Sequence, residues 1–160
     1  MKKALWVMIG IPGSGKSTFI KPLELNPNIK IVSRDKIRFS LVKENEGYFS
    51  KEKEVWNTFI SEIKSGLNDN HTEIVIADAT HINEASRAKL LNALKDSLND
   101  VEVYGIFFNL ALDVCLERNE NRKGTRGYVP EEAIERMKEQ FTIPNYEEGF
   151  NVIVEISSRR

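Results

Sequence analysis

The sequence has only one cysteine, only two histidines and no long apolar run. Cys115 cannot form a disulfide within the chain, and its apolar neighbours predict a buried thiol that suits a reducing compartment. No segment approaches the roughly 20 apolar residues of a membrane-spanning helix. We therefore expect a soluble, cytoplasmic protein without a membrane partner.

The chain also lacks an excess of either charge, with 23 basic and 24 acidic side chains. This balance gives no overall field that would attract polyanions, so any contact with nucleic acid must be local. The 160 residues, 41% of them hydrophobic, suit one globular domain over residues 1–160. The sequence shows no internal repeat, low-complexity tract or linker.

Eight residues, Gly10 to Ser17, fit the phosphate-binding P-loop pattern G-x-x-x-x-G-K-[ST] and follow an apolar run at residues 4–9. Glycines let the backbone curl so that N–H groups point at phosphate oxygens, and the following helix adds its positive end. Lys16 is expected to reach the β- and γ-phosphates of ATP, and the Ser17 hydroxyl to ligate Mg²⁺. The pattern predicts a nucleoside triphosphate site; the alternative is a glycine-rich turn with an incidental lysine.

Short apolar runs alternate with helical patterns along the chain. The runs predict strands at 4–9, 29–32, 73–77, 101–108 and 152–156. Helical spacing predicts inward faces formed by Val55, Phe59, Ile63 and Leu67, by Ala88, Leu91, Leu94 and Leu98, and by Ile134, Met137 and Phe141. Pro22 is expected to keep the helix after the P-loop short. The alternation implies a parallel sheet covered on both faces, with ligands beyond the carboxyl ends of its strands.

Asp35 and Arg38 lie at the start of a predicted helix after the second strand. Asp35 could be an acid favoured at a helix start and paired with the arginine three residues on. It could equally take the proton from an attacking hydroxyl, with Arg38 gripping a phosphate of the acceptor. The sequence alone leaves both interpretations open.

Asp78 directly follows the third predicted strand and is placed to hold Mg²⁺, although a turn carboxylate can also simply accept hydrogen bonds. Many ATP-hydrolysing P-loop proteins have a second acid at the next position to activate water. Ala79 stands there instead, which favours transfer to an acceptor. Asn83 is expected to cap the next helix. His81 has no partner histidine at metal-ligand spacing, so we interpret it as a turn residue.

The segment 118–128 is rich in arginine. It contains Arg118, Arg122, Lys123 and Arg126 together with two glycines. This composition predicts a mobile lid that brings an arginine to the charge developing on the transferred phosphoryl group. A solvated, charged loop is the alternative interpretation.

Together these features resemble polynucleotide 5′-hydroxyl kinases. Similarity to the kinase domain of the phage enzymes rests on Asp35, Arg38, the turn Asp78-Ala79-Thr80 and the arginine-rich lid. Similarity to the kinase domain of animal polynucleotide kinase-phosphatase rests on Ala85-Ser86-Arg87-Ala88, Gln140-Phe141, Pro144 and Glu148-Gly149-Phe150. The resemblance runs from the P-loop to near Ile156. It implies an α/β P-loop kinase fold, a three-layer sandwich with a five-stranded parallel sheet, helices on both faces and an arginine-rich lid.

The resemblance also implies a role for each matching residue. Lys16, Asp35 and Arg122 would be catalytic, with Asp35 as the general base and Arg122 as the lid arginine. Arg118 and Arg126 compete with Arg122 for that role. ATP would be bound by Gly13, Ser14, Gly15, Lys16, Ser17, Thr18, Arg118 and Arg122. The acceptor would contact Asp35, Arg38, Asp78, Thr80 and Arg87, and Mg²⁺ would bind at Ser17 and Asp78.

These residues predict ATP-dependent transfer of the γ-phosphoryl group to the 5′-hydroxyl end of DNA or RNA. A kinase of a small hydroxyl-bearing molecule, such as a nucleoside, sugar or antibiotic, would use the same donor machinery. A nucleotide-dependent switch without transfer activity is a third hypothesis. The relatives also carry a phosphatase domain, for which this chain has neither room nor an Asp-x-Asp signature. We therefore expect 3′-phosphate removal, like ligation, to need a separate phosphatase or ligase.

Overall fold

Five parallel strands form one sheet in the computed structural model, which describes residues 2–157. The strands are β1 (Lys3–Ile9), β2 (Ile29–Ser33), β3 (Ile74–Asp78), β4 (Val101–Asn109) and β5 (Val152–Ser157). The α-helices are α1 (Lys16–Ile20), α2 (Arg34–Leu41), α3 (Glu52–Asn68), α4 (Glu84–Leu94), α5 (Leu112–Glu120) and α6 (Glu131–Gln140). Short 3₁₀ helices cover Lys21–Leu25, Lys95–Ser97 and Tyr146–Glu148. Every strand predicted from the sequence is confirmed to within one residue at each end.

The P-loop strand β1 lies at the centre of the sheet, whose strand order is β2-β3-β1-β4-β5. β1 pairs with β3 on one side and β4 on the other, so that Val7 faces both Ala77 and Gly105. Ser33 and Asp78 are register partners at the ends of β2 and β3. The carboxyl ends of these strands therefore bring the loops after β1, β2 and β3 to one edge of the sheet. This arrangement confirms the predicted α/β fold.

Helices cover both faces of the sheet. Val7 and Ile9 point to one face and join a core with side chains of α3 and α4, whereas Met8 points to the other face and packs with Phe108. Because successive side chains of a strand point to opposite faces, a strand buried on both sides is apolar throughout. A third cluster joins α5 to α6 and contains Cys115, the buried thiol that the sequence predicts.

The helix after the P-loop is short, as expected. α1 ends at Ile20 and continues as the 3₁₀ helix Lys21–Leu25, with Pro22 at its start. Proline lacks an N–H group and its ring clashes with the preceding helical turn, so it cannot lie inside an α-helix without cost. Within residues 2–157 no helix combines the length and the apolarity that a membrane crossing needs.

The predicted inward faces are confirmed for two helices and partly wrong for a third. Val55, Phe59, Ile63 and Leu67 of α3 are buried, and Ile134, Met137 and Phe141 at α6 share one cluster. On α4, Ala88 is exposed, whereas Leu90 and Leu94 are buried together with Arg87. The face differs from the apolar pattern because Arg87 occupies an inward position, where it forms an ion pair with Glu148.

Candidate active site

The P-loop joins β1 to α1 and depends on two glycines in left-handed backbone conformations. Gly13 and Gly15 have φ angles of 83° and 105°, a region that favours glycine. A Cβ atom on Gly13 would also lie 2.6 Å from the carbonyl oxygen of Cys115. The loop therefore curls as its motif predicts and packs its backbone directly against α5. Ser14 is buried inside the curl, whereas Thr18 is exposed on α1.

Lys16 lies inside the curl of the P-loop. Its Nζ donates hydrogen bonds to the carbonyl oxygens of Gly10 at 2.6 Å and Ile11 at 3.0 Å. Burial lowers its pKa to about 8, and the nearby carboxylates of Asp78 and Asp35 limit this decrease. A buried cation held by neutral carbonyl groups would be strongly attracted to the negative charge of a phosphate.

Asp78 ends β3 at a half-buried position near the P-loop. Burial raises the pKa of its carboxyl group, the Lys16 ammonium lowers it, and the Asp35 carboxylate raises it further. The charges of Lys16, Asp78 and Asp35 therefore each change the pKa of at least one of the other two groups. The predicted donor lysine and the two predicted carboxylates lie close enough together to act as one electrostatic unit.

Asp35 lies in the first turn of α2. The helix is capped by the Ser33 side chain, whose Oγ accepts a hydrogen bond from the Lys36 N–H at 3.2 Å. Asp35 Oδ1 accepts hydrogen bonds from Arg38 Nη1 at 2.7 Å and from the Tyr48 hydroxyl at 3.2 Å. The Asp35 side chain remains 64% exposed. The residue therefore forms the expected intrahelical ion pair and still presents its carboxylate to solvent.

Arg38 has an ion-pair partner that the sequence does not predict. Its Nε and Nη2 donate to the two carboxylate oxygens of Glu52 at 2.6 and 3.1 Å, and Glu52 also accepts from Arg34 at 3.0 Å. The Arg38 side chain is only 7% exposed. An acceptor phosphate would compete for this guanidinium with the carboxylate of Glu52, the first residue of α3, and the grip stays a prediction.

One cleft of about 1060 Å³ connects most of the predicted site residues. Those that line it are Gly13, Gly15, Lys16, Ser17, Asp35, Arg38, Asp78, Thr80 and Arg122. Ser14, Thr18, Arg118 and Arg87 do not line it. The topology therefore brings the P-loop, the start of α2, the end of β3 and the lid to a single cavity.

Arg87 does not line the cleft, and its predicted contact with the acceptor stays a prediction. Its side chain is fully buried, and its Nε and Nη2 donate to the Glu148 carboxylate at 2.7 and 3.2 Å. It also donates to the carbonyl oxygen of His81 at 3.0 Å and to Thr142 Oγ1 at 2.9 Å. The residue instead joins α4 to the segment before β5.

Two of the three lid arginines hold backbone carbonyl groups. Arg118 lies within α5 rather than in the loop, and its Nη1 donates to the Gly13 carbonyl oxygen at 3.4 Å. Arg126 donates to the carbonyl oxygens of Phe39 at 3.1 Å and Val42 at 2.8 Å, and its guanidinium lies 4.6 Å from the centre of the Phe39 ring. Arg126 thereby attaches the lid to the end of α2.

Arg122 differs from Arg118 and Arg126 in its contacts. Within residues 2–157 its guanidinium has no hydrogen bond or ion pair, it lines the cleft, and its charge lowers the pKa of Lys16. The irregular part of the lid runs from residue 121 to 130, because α5 continues to Glu120. Arg118 also reaches the P-loop, but through the Gly13 carbonyl group, whereas the Arg122 guanidinium lines the cleft without a hydrogen-bond or ion-pair partner among the described residues and can meet a ligand there.

The comparison with known families agrees with this geometry. The sequence profile of the AAA_33 family, an AAA domain, matches residues 5–144. The chain belongs to this family. The assignment is coarser than the resemblance to polynucleotide kinases, and that finer assignment stays a prediction.

Solved structures with the same architecture differ in their substrates. A fungal RNA kinase shares 15% identity at a TM-score of 0.74, over 99% of this AAA_33 chain and 76% of the kinase. A chain of the Pnkp1/Rnl/Hen1 RNA repair complex shares 24% identity at a TM-score of 0.68, over 87% of this chain and 44% of that chain. A gluconokinase from Sinorhizobium meliloti shares 16% identity at a TM-score of 0.59, with coverages of 96% and 82%. These likenesses establish the fold of P-loop kinases, which implies a nucleotide site, and they leave the acceptor open.

The residues expected to bind Mg²⁺ suit that ion only in company with a nucleotide. Ser17 offers an exposed hydroxyl and Asp78 one carboxylate, and both line the cleft. No group of three or more metal-ligating side chains occurs within residues 2–157. Mg²⁺ commonly keeps several waters and binds through one or two protein oxygens plus substrate phosphates, so this donor set fits it.

Sequence reasoning missed two residues of the cleft. Glu52 is the carboxylate that holds Arg38, but fourteen residues separate them and no local pattern links them. His81 is a turn residue as predicted, with φ of 44°, yet it is also buried in the cleft wall. Its Nδ1 lies 2.7 Å from the Met8 carbonyl oxygen, which can only accept, so Nδ1 carries the proton. Burial lowers the pKa of His81 to about 4, which keeps the ring neutral.

Proposed function

We propose that this protein transfers the γ-phosphoryl group of ATP to the 5′-hydroxyl end of DNA or RNA. The observation that supports phosphoryl transfer to a hydroxyl is the position of Asp35. Its exposed carboxylate lines the same cleft as the P-loop, and its charge acts on both Lys16 and Asp78. An exposed carboxylate at the donor site is able to receive a proton from an acceptor hydroxyl.

The donor side would be formed by the P-loop. Its N–H groups and the start of α1 would bind the phosphates, and Lys16 would leave its carbonyl partners for the β- and γ-phosphates. Ser17 and Asp78 would hold Mg²⁺, which supplies positive charge to the transferred group when bound. Arg122 would add its unpaired guanidinium to the same charge.

The acceptor side would be formed by α2. Asp35 would accept the proton of the hydroxyl as its oxygen attacks the γ-phosphorus, and the bond from that phosphorus to the oxygen bridging to the β-phosphate would break. The products are a phosphorylated hydroxyl and ADP. Arg38 and Tyr48 fix the orientation of the Asp35 carboxylate through Oδ1, which leaves Oδ2 for the hydroxyl. Catalysis would come mainly from positioning and electrostatics.

A polynucleotide end is favoured by the charge of the acceptor side. Lys36 and Lys89 line the cleft with exposed side chains, and Lys36 lies 3.6 Å from Glu24, although the chain as a whole has a net charge of −1. Arg34 also lines it but is paired with Glu52. Such a local basic rim is enough for an enzyme that contacts only the first phosphates of a strand.

A small hydroxyl-bearing acceptor, such as a nucleoside, sugar or antibiotic, is the second candidate. It is favoured by Arg38, because this guanidinium is held by Glu52 rather than exposed to an acceptor phosphate. Both candidates use the same donor side and the same base.

A transfer assay separates these candidates. The protein is incubated with γ-labelled ATP, Mg²⁺ and a short DNA or RNA oligonucleotide with a 5′-hydroxyl, and a 5′-phosphorylated oligonucleotide serves as the control. Label on the 5′-hydroxyl strands alone supports the proposal. Label on nucleosides, sugars or antibiotics but on no oligonucleotide would replace it with the second candidate. ATP binding without transfer to any acceptor would favour a nucleotide-dependent switch.

A further inference from the structure

An exposed aromatic residue stands at the acceptor side of the cleft. Phe49 belongs to the segment between α2 and α3, lines the cleft and is 66% exposed. Its ring packs against Tyr48 with centroids 4.6 Å apart and an interplanar angle of 81°. Within residues 2–157 the Phe49 ring belongs to none of the three hydrophobic clusters, and with Tyr48 it forms an aromatic pair that lines the cleft.

A short series of contacts links this ring to Asp35. The Arg38 guanidinium donates to Asp35 Oδ1 at 2.7 Å and lies 5.7 Å from the centre of the Phe49 ring. The same guanidinium lies 4.6 Å from the centre of the Tyr48 ring. The same guanidinium therefore contacts both the Phe49 ring and the carboxylate that would bind the acceptor hydroxyl.

Tyr48 keeps the Phe49 ring in a defined orientation. The Tyr48 hydroxyl donates to Asp35 at 3.2 Å and accepts from Arg38 Nη1 at 3.1 Å, so two hydrogen bonds fix its position. Burial raises the pKa of Tyr48 to about 12, which keeps this hydroxyl protonated as a donor. The edge-to-face contact then supports the Phe49 ring without covering it.

The surroundings of the ring fit a nucleic-acid strand. Lys36 and Lys89 line the same cleft with exposed side chains, and the Lys89 ammonium lies 4.4 Å from the centre of the Trp56 ring. Lys36 also lies 3.6 Å from Glu24, an exposed pair that a phosphate can replace. An exposed aromatic face beside a basic groove is the arrangement with which proteins bind single strands, because bases stack on the ring and phosphates contact the cations.

We infer that Phe49 is the surface on which the base of the 5′-terminal nucleotide stacks. The inference rests on the proposed function and deepens it, because it makes the enzyme selective for an acceptor that carries a base next to its hydroxyl. A sugar without a base would meet the same Asp35 but would gain nothing from Phe49. The residue is thus a specificity determinant and takes no part in the proton transfer.

The test removes the Phe49 ring from the protein and the first base from the substrate, separately and together. Phe49→Ala and Phe49→Trp are assayed with a 5′-hydroxyl oligonucleotide and with the same oligonucleotide lacking only its first base. Ile143→Ala is the matched control, since Ile143 is 69% exposed and lies outside the cleft lining. Thermal unfolding of each variant checks that the fold is unchanged.

Removing the first base should raise the KM of the wild-type enzyme about 5- to 150-fold, the range for one base stacked on an aromatic ring. Phe49→Ala should raise the KM of the intact oligonucleotide by a similar factor and should make the base deletion nearly neutral. Phe49→Trp and Ile143→Ala should resemble the wild type, and the KM for ATP should not change.

Two other results have separate meanings. If the wild type phosphorylates oligonucleotides but Phe49→Ala leaves the effect of base removal intact, the base stacks elsewhere and the inference is wrong. If the wild type phosphorylates no oligonucleotide at all, the proposed function itself fails, and the role of Phe49 fails with it.

Discussion

Arg87 and Glu148 form a buried, bidentate ion pair that joins α4 to the segment before β5. Their side chains are 0% and 6% exposed, and the two hydrogen bonds measure 2.7 and 3.2 Å. Arg87 Nη1 donates to the His81 carbonyl oxygen and Nη2 also donates to Thr142 Oγ1, so every nitrogen atom of the guanidinium has a partner. Arg87, which the family resemblance associates with substrate, therefore holds the loop after β3 in place through the His81 carbonyl group.

This arrangement predicts a stability effect for Arg87→Met. The change should lower the free energy of unfolding by about 3–5 kcal/mol, because it leaves the Glu148 carboxylate buried without its partner. Urea unfolding measures the difference, and Arg136→Met on the exposed side of α6 is the control. A variant with unchanged stability but a raised KM for the acceptor would show that Arg87 binds substrate after all.

Replacing Asp35 by asparagine tests the proposed general base. Asp35→Asn should lower kcat for phosphoryl transfer about 10²- to 10⁴-fold, because the amide cannot accept the hydroxyl proton. ATP affinity, measured by calorimetry, should stay close to that of the wild type. Asp96→Asn, in the 3₁₀ helix far from the cleft, is the control. Normal turnover of Asp35→Asn would remove this residue from the mechanism.

The lid arginines should differ in their effects. Arg122→Ala should lower kcat by about 10³-fold or more, the effect typical of an arginine that stabilises the transferred phosphoryl group. Arg126→Ala should cause a smaller loss, because Arg126 contacts backbone carbonyl groups of α2 and not the P-loop. Single-turnover rates with saturating ATP measure both. The reverse order of effects would assign the catalytic role to Arg126.

His81 should make stability depend on pH. Its pKa is about 4 in the folded protein and 6.5 in an ordinary environment, so the unfolded chain binds more protons between these values. Stability should therefore fall as the pH falls through this window. Between pH 7 and pH 5 the contribution is about 2 kcal/mol.

Urea unfolding at the two pH values measures this effect. His81→Gln should reduce the loss of stability on acidification, whereas His71→Gln should keep it, since His71 is exposed. An equal loss in wild type and His81→Gln would contradict the buried, neutral state of His81.

Local signals in the sequence were sufficient for the elements and for the donor side of the site. Each apolar run became a strand, Pro22 ended α1, and the motif residues Gly13 to Ser17 formed the curled loop. These features depend on neighbours within a few residues, namely side-chain periodicity, the missing N–H of proline and the conformational freedom of glycine.

The acceptor side was less accessible to sequence reasoning. Arg38 and Arg87 both carry the charge expected of ligands for phosphate, yet each is held by a glutamate from a distant part of the chain. In the sequence, Glu52 has no distinguishing feature, and Glu148 belongs to a motif of the resemblance that does not indicate its partner. Whether an arginine is free to bind a ligand depends on which carboxylate the fold places next to it.

The sequence by itself determined the phosphate-binding loop, the order of strands and helices, and the presence of Asp35 and Asp78 after two strands. Only the tertiary structure decided that these groups share one cleft, that Arg122 is the unpaired lid arginine and that Phe49 faces the acceptor side. The physical reason is the separation along the chain of the groups that determine each property. Backbone conformation and burial patterns follow from near neighbours, whereas the pairing, solvation and pKa of a charged side chain depend on groups that long-range packing brings within a few ångströms.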